Sequence, residues 1–161
     1  MIKLRVTLES KEDVIRELII DENLNLEDLH KSIIQNFQLN EFEMASFYQT
    51  DSDLNLGEEI SLFDTSETAG DKLVMNQVSI TSLLHSSATQ LIYVYDFLKM
   101  WRFHIQFIEN KKAGEGEDLI FLGAMPNEAP EISFDEQKQK KGFDPYEDVF
   151  DDFDEFNDYE Y

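Results

Sequence analysis

The stretch YVYDFLKMWRFHIQFIE, residues Tyr93–Glu109, decides how the rest of the chain is read. Leu91, Tyr93, Tyr95 and Phe97 share one parity, with Ile92, Val94 and Asp96 on the other. After a turn near Leu98–Met100, Trp101, Phe103, Ile105 and Phe107 face one way, and Arg102, His104 and Gln106 the other. Side chains alternate across a strand with a period of two, so this pattern predicts two strands of a buried β-hairpin. So dense a block of aromatic and β-branched residues belongs at the centre of a sheet.

Working outward, Ile2, Leu4, Val6 and Leu8 alternate with Lys3, Arg5 and Thr7, which predicts a half-buried strand over Ile2–Leu8. The polar run Glu9–Asp13 is a turn, and Val14–Ile20 is a second strand, so the two pair as an antiparallel hairpin. A helix follows. Asn25 is its N-cap, Glu27 and Asp28 complement the dipole in its first turn, and Leu26, Leu29, Ile33 and Phe37 form its apolar stripe, widened by His30 and Ile34. A strand is expected around Met44–Gln49, a polar loop over Thr50–Glu59, short strands at Ile60–Phe63 and Leu73–Val78, and a brief helix through Leu83, Leu84 and His85 capped by Ser79 or Thr81. The loop Asn110–Asp118 leads to a last apolar run, Leu119–Leu122, stopped at Gly123.

The opening order of hairpin, helix and strand predicts an α+β, β-grasp-like roll. A mixed sheet would pack on one main helix, with an added β-hairpin and a short second helix. One globular domain over residues 1–125 is expected, then a linker over 126–142 and an acidic, aromatic tail over 143–161.

Thirteen basic residues stand against 35 acidic ones, for a net charge of −22. The tail holds nine acids and no base, which leaves residues 1–142 at −13. Affinity for nucleic acid comes largely from Lys and Arg neutralising phosphates, so direct DNA or RNA binding is not expected. The absence of cysteine removes disulfides, thiolate nucleophiles and Cys-based zinc sites. The first residues lack a signal peptide's apolar core, and no apolar run reaches the roughly 18–20 residues of a membrane helix, so a cytoplasmic location is expected.

Two stretches resemble the plasmid ORF-three-like family, first named from an Ri plasmid and also labelled transposon passenger proteins. Ile15–His30 is similar to that family's tryptophan- and arginine-rich strand and Leu-x-x-Leu-His helix start: Leu26, Leu29 and His30 match, while Ile15 stands where the tryptophan would. Tyr93–Trp101 is similar to its Tyr-x-Tyr-Asp-Phe-Gly-Asp…Trp block through Tyr93, Tyr95, Asp96, Phe97 and Trp101. Leu98-Lys99 replaces Gly-Asp, and Phe103 replaces a histidine. The resemblance implies an α+β fold and no defined activity. Its mobile-element association suggests an accessory role, although no resolvase-type serine motif or acidic metal triad accompanies it.

Candidate sites are few. Asp96 is the one acid inside the hydrophobic block: either an acid or base whose pKa burial has raised, or an acceptor for backbone N–H groups at the hairpin turn. His30 is either a ligand or base, or a histidine bonded to the neighbouring sheet. His30, His85 and His104 lack the i, i+4 spacing of a zinc helix. The run Asp51–Gly57 resembles the start of a calcium loop, but Leu56 and Leu62 occupy the sixth and twelfth positions, where glycine and glutamate are needed. Gly114-Glu115-Gly116 lacks the helix start of a phosphate cradle. No metal site or cofactor is therefore expected.

Phe143, Tyr146, Phe150, Phe153 and Phe156 recur close to one helical face of the tail. Burial of that face alone falls short of the cost of ordering the segment, so the tail is expected to fold only on docking. The leading expectation is a non-enzymatic interaction module whose tail docks on a protein partner with a basic or apolar groove. The alternatives are a small-ligand binder or enzyme with a cleft near Asp96 and His30, and a mobile-element accessory protein.

Overall fold

The computed structural model describes residues 1–115 and 118–130. Its compact unit spans Met1–Pro130. The expected border at residue 125 falls short of this, because Met125 and Ala129 pack against the core. The expected linker beyond Pro130 and the tail residues Phe143, Tyr146, Phe150, Phe153 and Phe156 lie outside the described residues, as does Gly116.

The fold is α+β. Among the described residues seven strands, β1 (Ile2–Leu8), β2 (Val14–Ile20), β3 (Ala45–Thr50), β4 (Leu56–Ser61), β5 (Gln90–Tyr95), β6 (Trp101–Asn110) and β7 (Phe121–Leu122), form one sheet in the order β4-β3-β5-β6-β1-β2-β7. The β5–β6 hairpin lies in its middle, and its register pairs Tyr93 with Phe103 and Tyr95 with Trp101. Among the described residues all six ladders are antiparallel, in place of the mixed sheet expected, and the one parallel pairing is an isolated bridge between Ser61 and Val74. The reason lies in the connections. The first hairpin joins the central one through β1 and β6, and these strands run in opposite directions.

Helix α1 (Leu26–Phe37) packs on one face of the sheet. Asn25 and Asp28 form a reciprocal capping box, and the helix ends on Gln38 in the left-handed conformation, φ 54°. Leu26, Leu29, His30, Ile33 and Phe37 are buried. They meet the inward parity of the sheet: Ile2, Leu4, Val6 and Leu8, Phe47, Leu91, Tyr93 and Tyr95, Trp101, Phe103 and Ile105. Ring contacts knit this layer, with Phe37 edge-on to Phe103 at 4.8 Å and Tyr93 within 4.9 Å of Phe47 and 5.8 Å of Phe103.

Two strand expectations need correcting. Leu73–Val78 is no strand; Met75–Gln77 makes a 3-10 turn that puts Met75 in the core. Helix α2 (Ile80–Leu83) follows Ser79, and the pair is tied to the start of α1 where Leu26 donates to the Val78 carbonyl and Ile80 to that of Leu24. Strand β4 begins at Leu56, inside the expected loop, because β3 supplies the ladder its four exposed residues need. Finally, Ile92 and Val94 are buried on the outer face as well, flanked across the ladders by Tyr48 and His104, and by Ser46 and Arg102. Long amphipathic side chains cover apolar ones there.

Ile33 is fully buried, so Ile33→Ala should cost about 3 kcal/mol in urea unfolding, by lost transfer energy and an unfilled cavity. Asn25→Ala should cost about 1 kcal/mol through the lost cap. Equal costs would contradict a helix held mainly by packing.

Candidate functional site

Asp96 and His30 occupy different places. Asp96 has a left-handed backbone, φ 57°, and its Oδ1 accepts from the N–H groups of Leu98 (3.1 Å) and Lys99 (3.3 Å). Its carbonyl accepts from Met100, and its own N–H donates to the Met44 carbonyl. The carboxylate therefore shapes the β5–β6 turn. That break in alternation also turns Phe97 out to solvent, against the parity expected for it.

His30 sits on the buried side of α1, 4% exposed, with Nδ1 hydrogen-bonded to the Tyr93 hydroxyl at 2.8 Å. It lines an open groove of about 680 Å³ along α1, between the helix and the segments Leu39–Phe42 and Leu62–Phe63. Phe42 and Phe63 stand at this groove, 86% and 59% exposed. Asp96 is not among the residues that line this groove. Burial lowers the His30 pKa, with smaller opposed effects from Glu27 and Lys31, and raises that of the Tyr93 phenol far above its ordinary value.

His104 lies on the outer face. Gln90 uses its amide N–H on the Asp51 carbonyl, so its Oε1 accepts from His104 Nε2 at 2.8 Å. Burial lowers the His104 pKa too. The Asp51 carboxylate accepts from the backbone of Asp53 and Asn55 and from the Asn55 amide, which makes Asp51–Gly57 a turn closed by its own first residue. Among the described residues, no group of three His, Cys, Asp or Glu side chains is placed to hold a metal ion.

A second polar cluster lies at the β2–β7 edge, where sequence reasoning named no site. Arg16 occupies the core parity of β2, between Val14 and Leu18, and is 4% exposed. Its guanidinium lies 3.5 Å over the Phe121 ring and 5.2 Å from that of Phe37, and donates to the carbonyls of Ile15, Leu122 and Gly123. Glu17 points to the opposite face and is 5% exposed. Arg5 Nη2 (2.7 Å), Lys3 Nζ (3.0 Å) and the Ile120 N–H (3.0 Å) all reach its carboxylate. Burial pushes the Glu17 pKa up, but the Ile120 N–H, Arg5 and Lys3 outweigh it and hold the group below the usual range. The signal for Arg16 was parity: a charged residue on the core-facing parity of a strand must find partners inside. Glu17, on the outer parity, carried no such signal.

The native state holds Glu17 below its unfolded pKa, so its stabilisation is complete above about pH 4.3 and is lost as pH falls through the folded value. Glu17→Gln should cost about 2 kcal/mol at pH 7, and the difference from wild type should vanish in acid when Trp101 fluorescence follows unfolding. A difference that stays constant with pH would refute this. His30 and His104 act higher: the unfolded chain binds protons below about pH 6.5 and the folded one resists, so stability also falls there. At Gly123, φ is +75° and an added Cβ would stand 2.1 Å from the Asp13 carbonyl oxygen. Gly123→Ala should cost more than about 1 kcal/mol and speed hydrogen exchange at Ile120 and Leu122 first.

Comparison with known proteins places the architecture. No match emerges among curated proteins. A crystal structure of a protein of unknown function from Methanosarcina mazei Go1 is similar, with a TM-score of 0.60 and 16% identity over 92% of this chain and 84% of that one. At that identity the likeness concerns the fold alone. The model of the plasmid pRiA4b ORF-3-like proteins matches residues 1–153, and the chain belongs to that family, as the residues of Ile15–His30 and Tyr93–Trp101 indicated.

Proposed function

We propose that the protein is a non-enzymatic interaction module whose C-terminal segment docks on a protein partner with a basic, apolar groove. The folded body is the scaffold, and Phe143, Tyr146, Phe150, Phe153 and Phe156 are the anchors. The observation that carries this reading is the edge strand. Leu119, Ile120, Phe121 and Leu122 are 38%, 42%, 71% and 48% exposed in succession, at one border of the sheet. An exposed apolar edge strand invites pairing, and a chain keeps one at a cost unless something covers it. A net charge of −22 favours a basic partner and disfavours phosphate.

The chemistry that a catalytic reading would use is otherwise engaged. Asp96 shapes a turn, and Glu17 is held by Arg5, Lys3 and Ile120. The same proposal takes the fold as β-grasp-like, on the strength of the β1–β2 hairpin leading into α1, and its location as cytoplasmic. Among the described residues no helix is long and apolar enough to cross a membrane.

Affinity capture with the full chain should recover a basic protein that residues 1–142 alone do not recover. Replacing Phe150, Phe153 and Phe156 by alanine in the full chain should have the same effect. Leu119→Asp should weaken capture about tenfold if the edge strand shares the interface. Recovery of the same partners with and without residues 143–161 overturns the proposal.

A further inference from the structure

His30 presents a hydrogen-bond donor to the α1 groove, and the core behind it dictates which one. The Tyr93 hydroxyl is fully buried, and among the described residues its one bond is to His30 Nδ1. If the ring donated, the phenolic proton would be left without an acceptor in the apolar core. If the phenol donates, both groups are satisfied. The phenol therefore donates to Nδ1, and the ring proton resides on Nε2. No described residue bonds Nε2, which is also not among the buried side-chain atoms left without a partner, and His30 lines the groove.

The remaining walls define what such a donor would receive. Ile34, Leu39 and Leu62 are apolar, Phe42 and Phe63 offer aromatic faces, and Gln35, Gln38 and Asn40 add neutral amides. Charge at the rim comes from Glu27, Glu41 and Lys31, with Lys31 already 3.7 Å from Glu27. That balance repels anions, while an N–H donor at the floor disfavours cations. The volume, about 680 Å³, falls within the range of small-molecule sites.

We propose that this groove binds a small, neutral organic molecule with a flat apolar body and one hydrogen-bond acceptor, which His30 Nε2–H engages. Nothing in this depends on the C-terminal segment, and it adds a ligand to a module proposed above to bind protein.

The probes are acetophenone and ethylbenzene, alike in shape except for the carbonyl oxygen. Titrated into the full chain labelled with ¹⁵N-histidine, the free His30 should show its proton on Nε2. Acetophenone should shift that signal together with the rings of Phe42 and Phe63, and bind about fivefold more tightly than ethylbenzene. Phe42→Ala, at an exposed position, should weaken both probes alike. His30→Phe combined with Tyr93→Phe removes the donor without orphaning the phenol, and should erase the preference for the carbonyl while sparing the contacts with Phe42 and Phe63. A proton on Nδ1, equal binding of the two probes, or shifts confined to residues outside the groove would each overturn the proposal.

Discussion

A phenol cannot be carried into an apolar core without an acceptor, and the hydrogen bond from Tyr93 to His30 meets that demand at the centre of the molecule. Tyr93 is on β5, in the middle of the sheet, and its ring touches Phe47 on β3 and Phe103 on β6. The acceptor comes from the opposite layer. Leu29 and Ile33 would seat α1 on the sheet in several neighbouring positions, since apolar contact is not directional. A 2.8 Å bond between one helical residue and one strand residue selects among them. The same bond sets the histidine's tautomer, so a packing requirement in the core determines what the groove outside can recognise.

The sheet's far edge solves a different problem. Two residues of β7 are too few to hold a strand by ladder bonds alone. Adjacent residues of β2 hold it from both faces. Arg16, on the core side, takes the carbonyls of Leu122 and Gly123 and stacks on Phe121; Glu17, on the outer side, takes the Ile120 N–H. Both charges are buried: two cations offset Glu17, while Arg16 meets three carbonyls and two rings and leaves its Nε without a partner among the described residues. The outward surface of β7 remains apolar and open.

Much of this was legible in the sequence, because period and capping are local. The hairpin at Tyr93–Glu109 follows from alternation alone, and α1 from Asn25, Asp28 and its stripe. What was not legible depends on non-local pairing. Leu56–Glu59 has no strand-like pattern and becomes one because β3 is beside it. Leu73–Val78 has strand-forming residues but lies where a turn delivers Met75 to the core, so packing overrides propensity. His30 showed only as a histidine on an apolar stripe; its partner, 63 positions away, could not be read from spacing. Arg16 and Glu17 were in view, but their roles required knowing that β7 returns to β2.

The departures from the family's motif now have a structural meaning. Leu98 and Lys99 stand where the family has Gly-Asp, yet the turn forms, because Asp96 bonds both their backbone N–H groups and adopts the left-handed conformation itself. Phe103 stands where the family has histidine, and it packs against Tyr93 and Phe37 in the core. A histidine at that position would compete with His30 for the Tyr93 hydroxyl or need a partner of its own. Its replacement by phenylalanine leaves His30 as the sole acceptor among the described residues. With phenylalanine at 103, the polar demand of the Tyr93 hydroxyl is met at one point, the imidazole of His30.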